Sequence, residues 1–176
     1  MPHLPEPGDR QRMRGKGHGA DPLTFVCSGG GHFQIGSTAL ALMRHYVQDV
    51  PAKPEAGGVL LGRHILETGD IIVDLITEPM PSDRQGRFRF FRARRSHQAA
   101  INRAWRASGG TCTYLGEWHT HPEPHPTPSW IDRQNWQRKV LVDRFTEPIF
   151  FVIMGTAETH VWEGRRSRGL IPLHRF

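Results

Sequence analysis

Cysteine is scarce in this chain, and long apolar runs are missing. Two cysteines in 176 residues, Cys27 and Cys112, give no disulfide framework and no Cys-rich metal site. The longest apolar run, "IFFVIM" at 149–154, is far too short to span a bilayer, so no membrane partner is expected. The opening stretch, "MPHLPEPGDRQRMRGKGHGA", lacks the apolar segment a signal peptide needs, which makes the cytoplasm the expected compartment. Internal repeats are absent as well. What is present is ordinary for a globular chain: 37% hydrophobic and 23% charged residues, at a length that suits one domain with its own core.

Charge is unevenly placed. The formal net charge is +6, and between Met80 and Arg106 eight arginines stand against one acid, Asp83. Such a run reads either as a solvated basic face or as a docking surface for something acidic, a protein or a nucleic-acid backbone. Arginine without lysine leans toward shaped recognition of carboxylate or phosphate.

Pattern and turn signals divide the chain. Residues 1–22, rich in Pro, Gly and basic side chains, read as a flexible basic tail, leaving 23–176 as the folded unit. "LTFV" and "HFQI" read as strands around the turn at Gly29, Gly30 and Gly31. Ser37 is the expected cap of a helix with Leu40, Met43 and Val47 on one side, and Ser96 of a second over about 97–107. "EAGGVLLGRHIL" and "DIIVDLIT" form a strand pair, "FRFF" follows a Pro- and Asp-rich loop, and "TCTYLGEWH" is a further strand. Ser129 starts a third helix, and "PIFFVIM", "ETHVWE" and "LIPL" close the chain as strands. Without strict βαβ alternation, the expected class is α+β: one central twisted sheet flanked by helices.

The chemistry concentrates in "LGEWHTHPEPHPTPSWID", residues 115–132. Alternate residues of a strand share a face, so His119 and His121 point the same way and can reach one ion at about 2.0–2.1 Å each. Asp132, in the first turn of the next helix, would be the third ligand. Two histidines, one carboxylate and a position left for water make a catalytic pattern, not a closed structural one. The set also suits iron or another divalent ion. A histidine pair in a turn is the plainer alternative, and Ser129 with Asp132 also fits a helix capping box. Both roles are compatible, since a capped helix fixes the direction of the carboxylate. His125, flanked by prolines, is expected to be exposed and not a ligand. Hydrolysis needs a base outside the ligand set, and Glu55, ahead of paired glycines that permit close approach, is the candidate.

Glu55, "GGVLLG", and His119-x-His121-Pro122 followed by Ser129 and Asp132 resemble the JAMM motif of MPN-domain metalloproteases, over roughly residues 35–165. The resemblance implies a single MPN-like catalytic domain whose sheet is mixed, with Zn²⁺ held by His119, His121 and Asp132. It further implies that Glu55 activates the attacking water and passes its proton to the leaving amine, while Ser129 donates a hydrogen bond to the oxyanion. Enzymes of this kind cut after the C-terminal tail of ubiquitin or a ubiquitin-like protein, and the tail adds as a strand beside an insertion near the site. That insertion is expected at 78–92, with Arg87, Arg89 and Arg92 as substrate-binding residues. More narrowly, the "RFRFFR" and "INRAW" segments look like small bacterial JAMM deconjugases of ubiquitin-transfer-like anti-phage signalling systems, which free a nucleotidyltransferase from its targets through its C-terminal tail. Two other outcomes stay open: a peptidase that trims a sulfur-carrier-type precursor, and a nucleic-acid-associated JAMM-like module supported only by the arginines.

Overall fold

Among the described residues, nine strands line up in one mixed sheet, with apolar residues alternating on some strands and filling both faces of others. The computed structural model describes residues 21–142 and 148–176; apart from Asp21 and Pro22, the expected tail lies outside the described residues. Strand β1 (Leu23–Val26) turns through the three glycines into β2 (His32–Ile35), and α1 (Ser37–His45) follows. The long antiparallel pair β3 (Gly57–Ile65) and β4 (Asp70–Ile76) comes next. A separate two-stranded hairpin, β5 (Arg84–Gly86) with β6 (Arg89–Phe91), leads into α2 (Arg94–Ala107). Strand β7 (Thr113–Thr120), α3 (Trp130–Val142) and β8 (Ile149–Met154) form a crossover, with β7 and β8 parallel. The strands β9 (Thr159–Arg165), β10 (Gly169–Pro172) and β11 (His174–Arg175) complete a sheet ordered β10-β9-β8-β7-β3-β4-β2-β1-β11. No helix among the described residues is long and apolar enough to cross a membrane.

The helices cover both faces. On β8 every residue is buried, with Phe150, Val152 and Met154 facing the α1 side and Ile149, Phe151 and Ile153 the α3 side. Phe150 stacks on Phe33 at 4.2 Å between ring centres, and Phe151 stacks on Trp136 of α3 at 4.5 Å. Val59 and Leu61 of β3 pack against Ile101 and Ala104 of α2. A sheet covered twice reads as an unbroken apolar run, which is why "IFFVIM" carries no alternation.

Two helix starts differ from the expected caps. The residue before α1 is Gly36, and Ser37 already belongs to the first turn; Gly36 makes no side-chain cap bond. Helix α2 begins at Arg94, ahead of Ser96, which instead bonds Ser82 across 2.7 Å. Its entry is held from outside the helix: Asp83 accepts the Ala93 N–H at 2.7 Å and the Met80 N–H at 2.7 Å. The Asp83 side chain is fully buried and also meets His97 Nε2 at 3.0 Å, while His97 Nδ1 lies 2.6 Å from the Thr77 hydroxyl. This network pins the loop that carries the hairpin.

Glycine matters most where backbones meet. Gly116 in β7 has φ +153°, and a Cβ there would fall 1.8 Å from Phe150 O, so the bulge opposite Leu60 and Leu61 admits no side chain. In β3, a Cβ on Gly58 would lie 1.9 Å from Thr77 O, and one on Gly57 would lie 2.7 Å from the Phe90 ring. The paired glycines thus let the loop and hairpin press against the strand that follows Glu55.

Candidate metal centre

Strand β7 ends at the site. Its register sets Gly57 beside His119 on one edge and Ile153 on the other, and the His121 N–H bonds Met154 O at 2.9 Å, so both histidines are fixed by neighbouring strands. Thr120 between them points into the interior and is fully buried. The two Nε2 atoms approach to 3.0 Å. Two such nitrogens can share a single proton or a cation between them, but two protonated rings would repel.

Asp132 enters from the first turn of α3. Its Oδ1 lies 3.6 Å from His119 Nε2 and its Oδ2 3.5 Å from His121 Nε2. The capping box fixes it: the Ser129 N–H and hydroxyl both donate to Oδ2, at 2.8 and 2.6 Å, and the Asp132 N–H donates to Ser129 Oγ at 3.2 Å. Burial works to raise the Asp132 carboxyl, but bonds to His119, His121 and Ser129 overcome it and hold the group far below the usual range. Donors about 2.0–2.1 Å from a tetrahedral ion stand about 3.3 Å apart. The separations of 3.0, 3.5 and 3.6 Å bracket that value, so the donor set fits a divalent ion. Behind it, His121 Nδ1 meets Glu123 Oε2 at 3.4 Å, a carboxylate placed to orient the ring.

Glu55 closes the group. Its carboxylate and ring nitrogens of His119 and His121 all lie within 4.8 Å of one another, and the residue is 6% exposed. Burial raises its pKa, offset in part by the two histidines and reinforced by Asp132. A carboxylate with raised proton affinity is suited to taking and returning a proton. Its backbone is anchored by the hairpin: Glu55 N donates to Gly86 O at 2.8 Å, and Gln85 Nε2 donates to Glu55 O at 3.3 Å. Neither cysteine competes as a nucleophile, since burial pushes Cys27 up to about 12 and Cys112 upward as well.

A groove of about 890 Å³ runs from Glu55, His119 and Asp132 across β7, between the walls of α2 and α3. In it Glu117, two residues before His119, receives Arg92 at 2.5 Å and Lys139 at 3.1 Å. Burial opposes ionisation of Glu117, and the two cations hold it below the ordinary range.

The structure therefore brings Glu55, His119, His121, Ser129 and Asp132 together, while the three arginines part ways. Arg92 is engaged internally by Glu117. Arg87 donates to Pro51 O and lies 5.3 Å over the Phe88 ring. Arg89 is exposed on β6. His125 is exposed and pairs with Glu158 at 3.1 Å, away from the ligand set as expected. Sequence patterns alone did not single out Glu117, Gln48 or the Asp83–His97–Thr77 network. Only Asp83 left a trace, as the one acid in an arginine-rich stretch.

Histidines at a strand end, an aspartate fixed by a capping box and a buried glutamate on an α+β scaffold suit a metal-dependent hydrolase. Residues 37–167 match the family described as prokaryotic homologs of the JAB domain, and the chain belongs to that family. It is similar to a CD-NTase/cGAS isopeptidase of Vibrio cholerae, with 38% identity over 69% of this chain and 74% of the relative. A probable metalloprotease of Sinorhizobium fredii is 31% identical over 64% of this chain and 79% of its own length. In fold, the solution structure of a Desulfitobacterium hafniense protein superposes with a TM-score of 0.56 at 22% identity, covering 78% of this chain and 87% of that one. The chain is thus a hydrolase of the metalloprotease type, and its family implies a metal ion.

Proposed function

We propose that this chain is a zinc-dependent isopeptidase that reverses conjugation by cutting after the C-terminal tail of a CD-NTase-type nucleotidyltransferase. The observation that carries the chemistry is the buried Glu55 carboxylate, within 4.8 Å of the same histidine nitrogens that Asp132, fixed by Ser129, approaches at 3.5 and 3.6 Å. The substrate class is taken from the Vibrio cholerae relative, a CD-NTase/cGAS isopeptidase.

In this reading His119, His121 and Asp132 hold zinc, which suits a mixed nitrogen and oxygen set. When bound, such an ion polarises the scissile carbonyl and makes water a better nucleophile at neutral pH. Glu55 takes the proton of the attacking water and returns it to the leaving lysine amine. Ser129 serves the oxyanion by turning its hydroxyl proton away from Asp132, which keeps the Ser129 N–H as partner. The hairpin β5–β6, set apart from the main sheet, offers a strand edge on which an extended tail can add. Recognition of a ubiquitin-like tail is the alternative within the same mechanism. A nucleic-acid role gains little support, because Arg92 and Arg87 are bonded within the chain.

The test is direct. Full-length protein is incubated with a nucleotidyltransferase whose C-terminal carboxyl is joined to a lysine amine of a second protein. Release of both partners, lost on chelation and restored by Zn²⁺, is the expected result. An intact conjugate alongside cleavage of a ubiquitin-like fusion would move the substrate to the alternative.

A further inference from the structure

Gln48 lies just beyond Tyr46, which closes α1, and is 3% exposed. Its amide bonds three separate segments. Nε2 donates to Arg87 O at 2.8 Å, in the hairpin turn, and to Lys53 O at 3.3 Å, on the approach to Glu55. Oε1 accepts from the Thr120 hydroxyl at 3.2 Å. Thr120 separates the two histidines, and its oxygen accepts the Ala56 N–H at 3.0 Å while its own N–H donates to Ala56 O at 2.9 Å. Ala56 follows Glu55, whose N–H is held by Gly86 O in the same hairpin.

This arrangement leaves the amide no choice of orientation. Two carbonyls face one end and a hydroxyl faces the other, so only nitrogen toward Arg87 and Lys53 satisfies all three. A carboxylate could not donate, and an apolar side chain could do neither. Thr120 has one proton, given to Gln48, which leaves its oxygen to receive Ala56.

We propose that Gln48 is a positioning residue: it joins the β5–β6 hairpin, the Glu55 backbone and the histidine strand into one unit, so that a substrate held at the hairpin meets Glu55 in fixed geometry. The inference rests on Glu55 being the proton-transferring group. The described bonds of Gln48 run to Lys53, Arg87 and Thr120 and not to a candidate ligand side chain, so it acts through Thr120, Ala56 and Arg87. Its loss therefore misplaces the carboxylate, while His119, His121 and Asp132 keep their own strand and helix supports.

Two variants test it, Gln48→Met, which keeps length and bulk without polar atoms, and Thr120→Val, which keeps shape without the hydroxyl. Zinc content, kcat, KM on a lysine-linked conjugate and hydrogen exchange at Glu55 N–H are measured for each. Both should retain wild-type zinc. In both kcat should fall by about 10²-fold, the scale of a misplacement near 1 Å, with KM changed less than about threefold. Exchange at Glu55 should quicken, and the double variant should be little worse than either single one, since both break one chain of bonds. If Gln48→Met does not fold, Thr120→Val carries the same test. Wild-type kcat with only a lower melting temperature makes Gln48 a fold residue and overturns the proposal. Loss of zinc, or additive losses in the double variant, overturns it too. Glu55→Gln in the same assay separates the two claims: full activity there defeats the reading of Glu55, whereas an inactive Glu55→Gln beside a fully active Gln48→Met defeats only this inference.

Discussion

His119, His121, Ser129 and Asp132 were legible because their relation is local. One strand period aligns the histidines, and one helical turn joins serine to aspartate, so spacing alone carries the geometry. Glu55 was different: its neighbour His119 lies across the β3–β7 pairing, and only a resemblance could connect them. Each group has its own expected loss. His119→Ala, His121→Ala and Asp132→Ala should each lower zinc content by about 10-fold or more at limiting zinc, read by metal analysis after dialysis; full retention in all three would remove them from the ligand set. Glu55→Gln keeps the shape and should keep the metal, while conjugate cleavage falls by about 10²–10⁴-fold, the usual cost of losing a general base. Uncut conjugate should then co-elute with this variant on size exclusion, because docking along the hairpin does not require the carboxylate.

Among elements, the helices and sheet followed their patterns, but the hairpin's anchoring did not show in the sequence. The expected caps Ser37 and Ser96 are instead the first and third residues of their helices, which begin at Ser37 and Arg94. The group that holds the entry to α2 is Asp83, ten residues before Ala93, and no local pattern announces a cap from that distance. Burial works to raise the Asp83 carboxyl, yet the Met80 and Ala93 N–H groups and His97 keep it below the ordinary range. The folded chain thus holds the proton there less tightly than the unfolded chain does. The stability this gives is present in full above the unfolded value near pH 3.9, and it is lost as pH falls through the lower folded value. Asp83→Ala should cost about 3 kcal/mol at neutral pH, since several part-buried groups lose their partner at once. Melting of wild type and variant compared from pH 7 down to pH 3 should show the gap narrowing with acid. A gap that stays constant would mean that the carboxylate's charge contributes nothing.

At the scale of the whole molecule, two helices stand on one face of the sheet and the groove between them leads to the candidate metal centre. The charge that looked like a uniform basic face is divided by this architecture. Arg92 and Lys139, from opposite walls, converge on Glu117 at the floor, whereas Arg89 remains on the surface. Sequence could not separate them, because the acid that neutralises Arg92 stands 25 positions further along the chain. Their substitutions should accordingly behave differently. Arg89→Ala removes an exposed charge from a chain of formal charge +6, so it should weaken encounter with an acidic conjugate modestly. The effect should fade as ionic strength rises past physiological values, where exposed charges are screened beyond about 8 Å. Arg92→Ala removes one of the two described cations on Glu117 and loosens one wall of the groove. Its loss in kcat/KM, about 10-fold or more, should persist at high salt, since a partly buried pair is screened far less. Steady-state kinetics on one conjugate at 50 and 500 mM salt give both answers. Equal salt dependence in the two variants would mean that Arg92 acts only as one more surface charge and that the groove does not depend on its bond to Glu117.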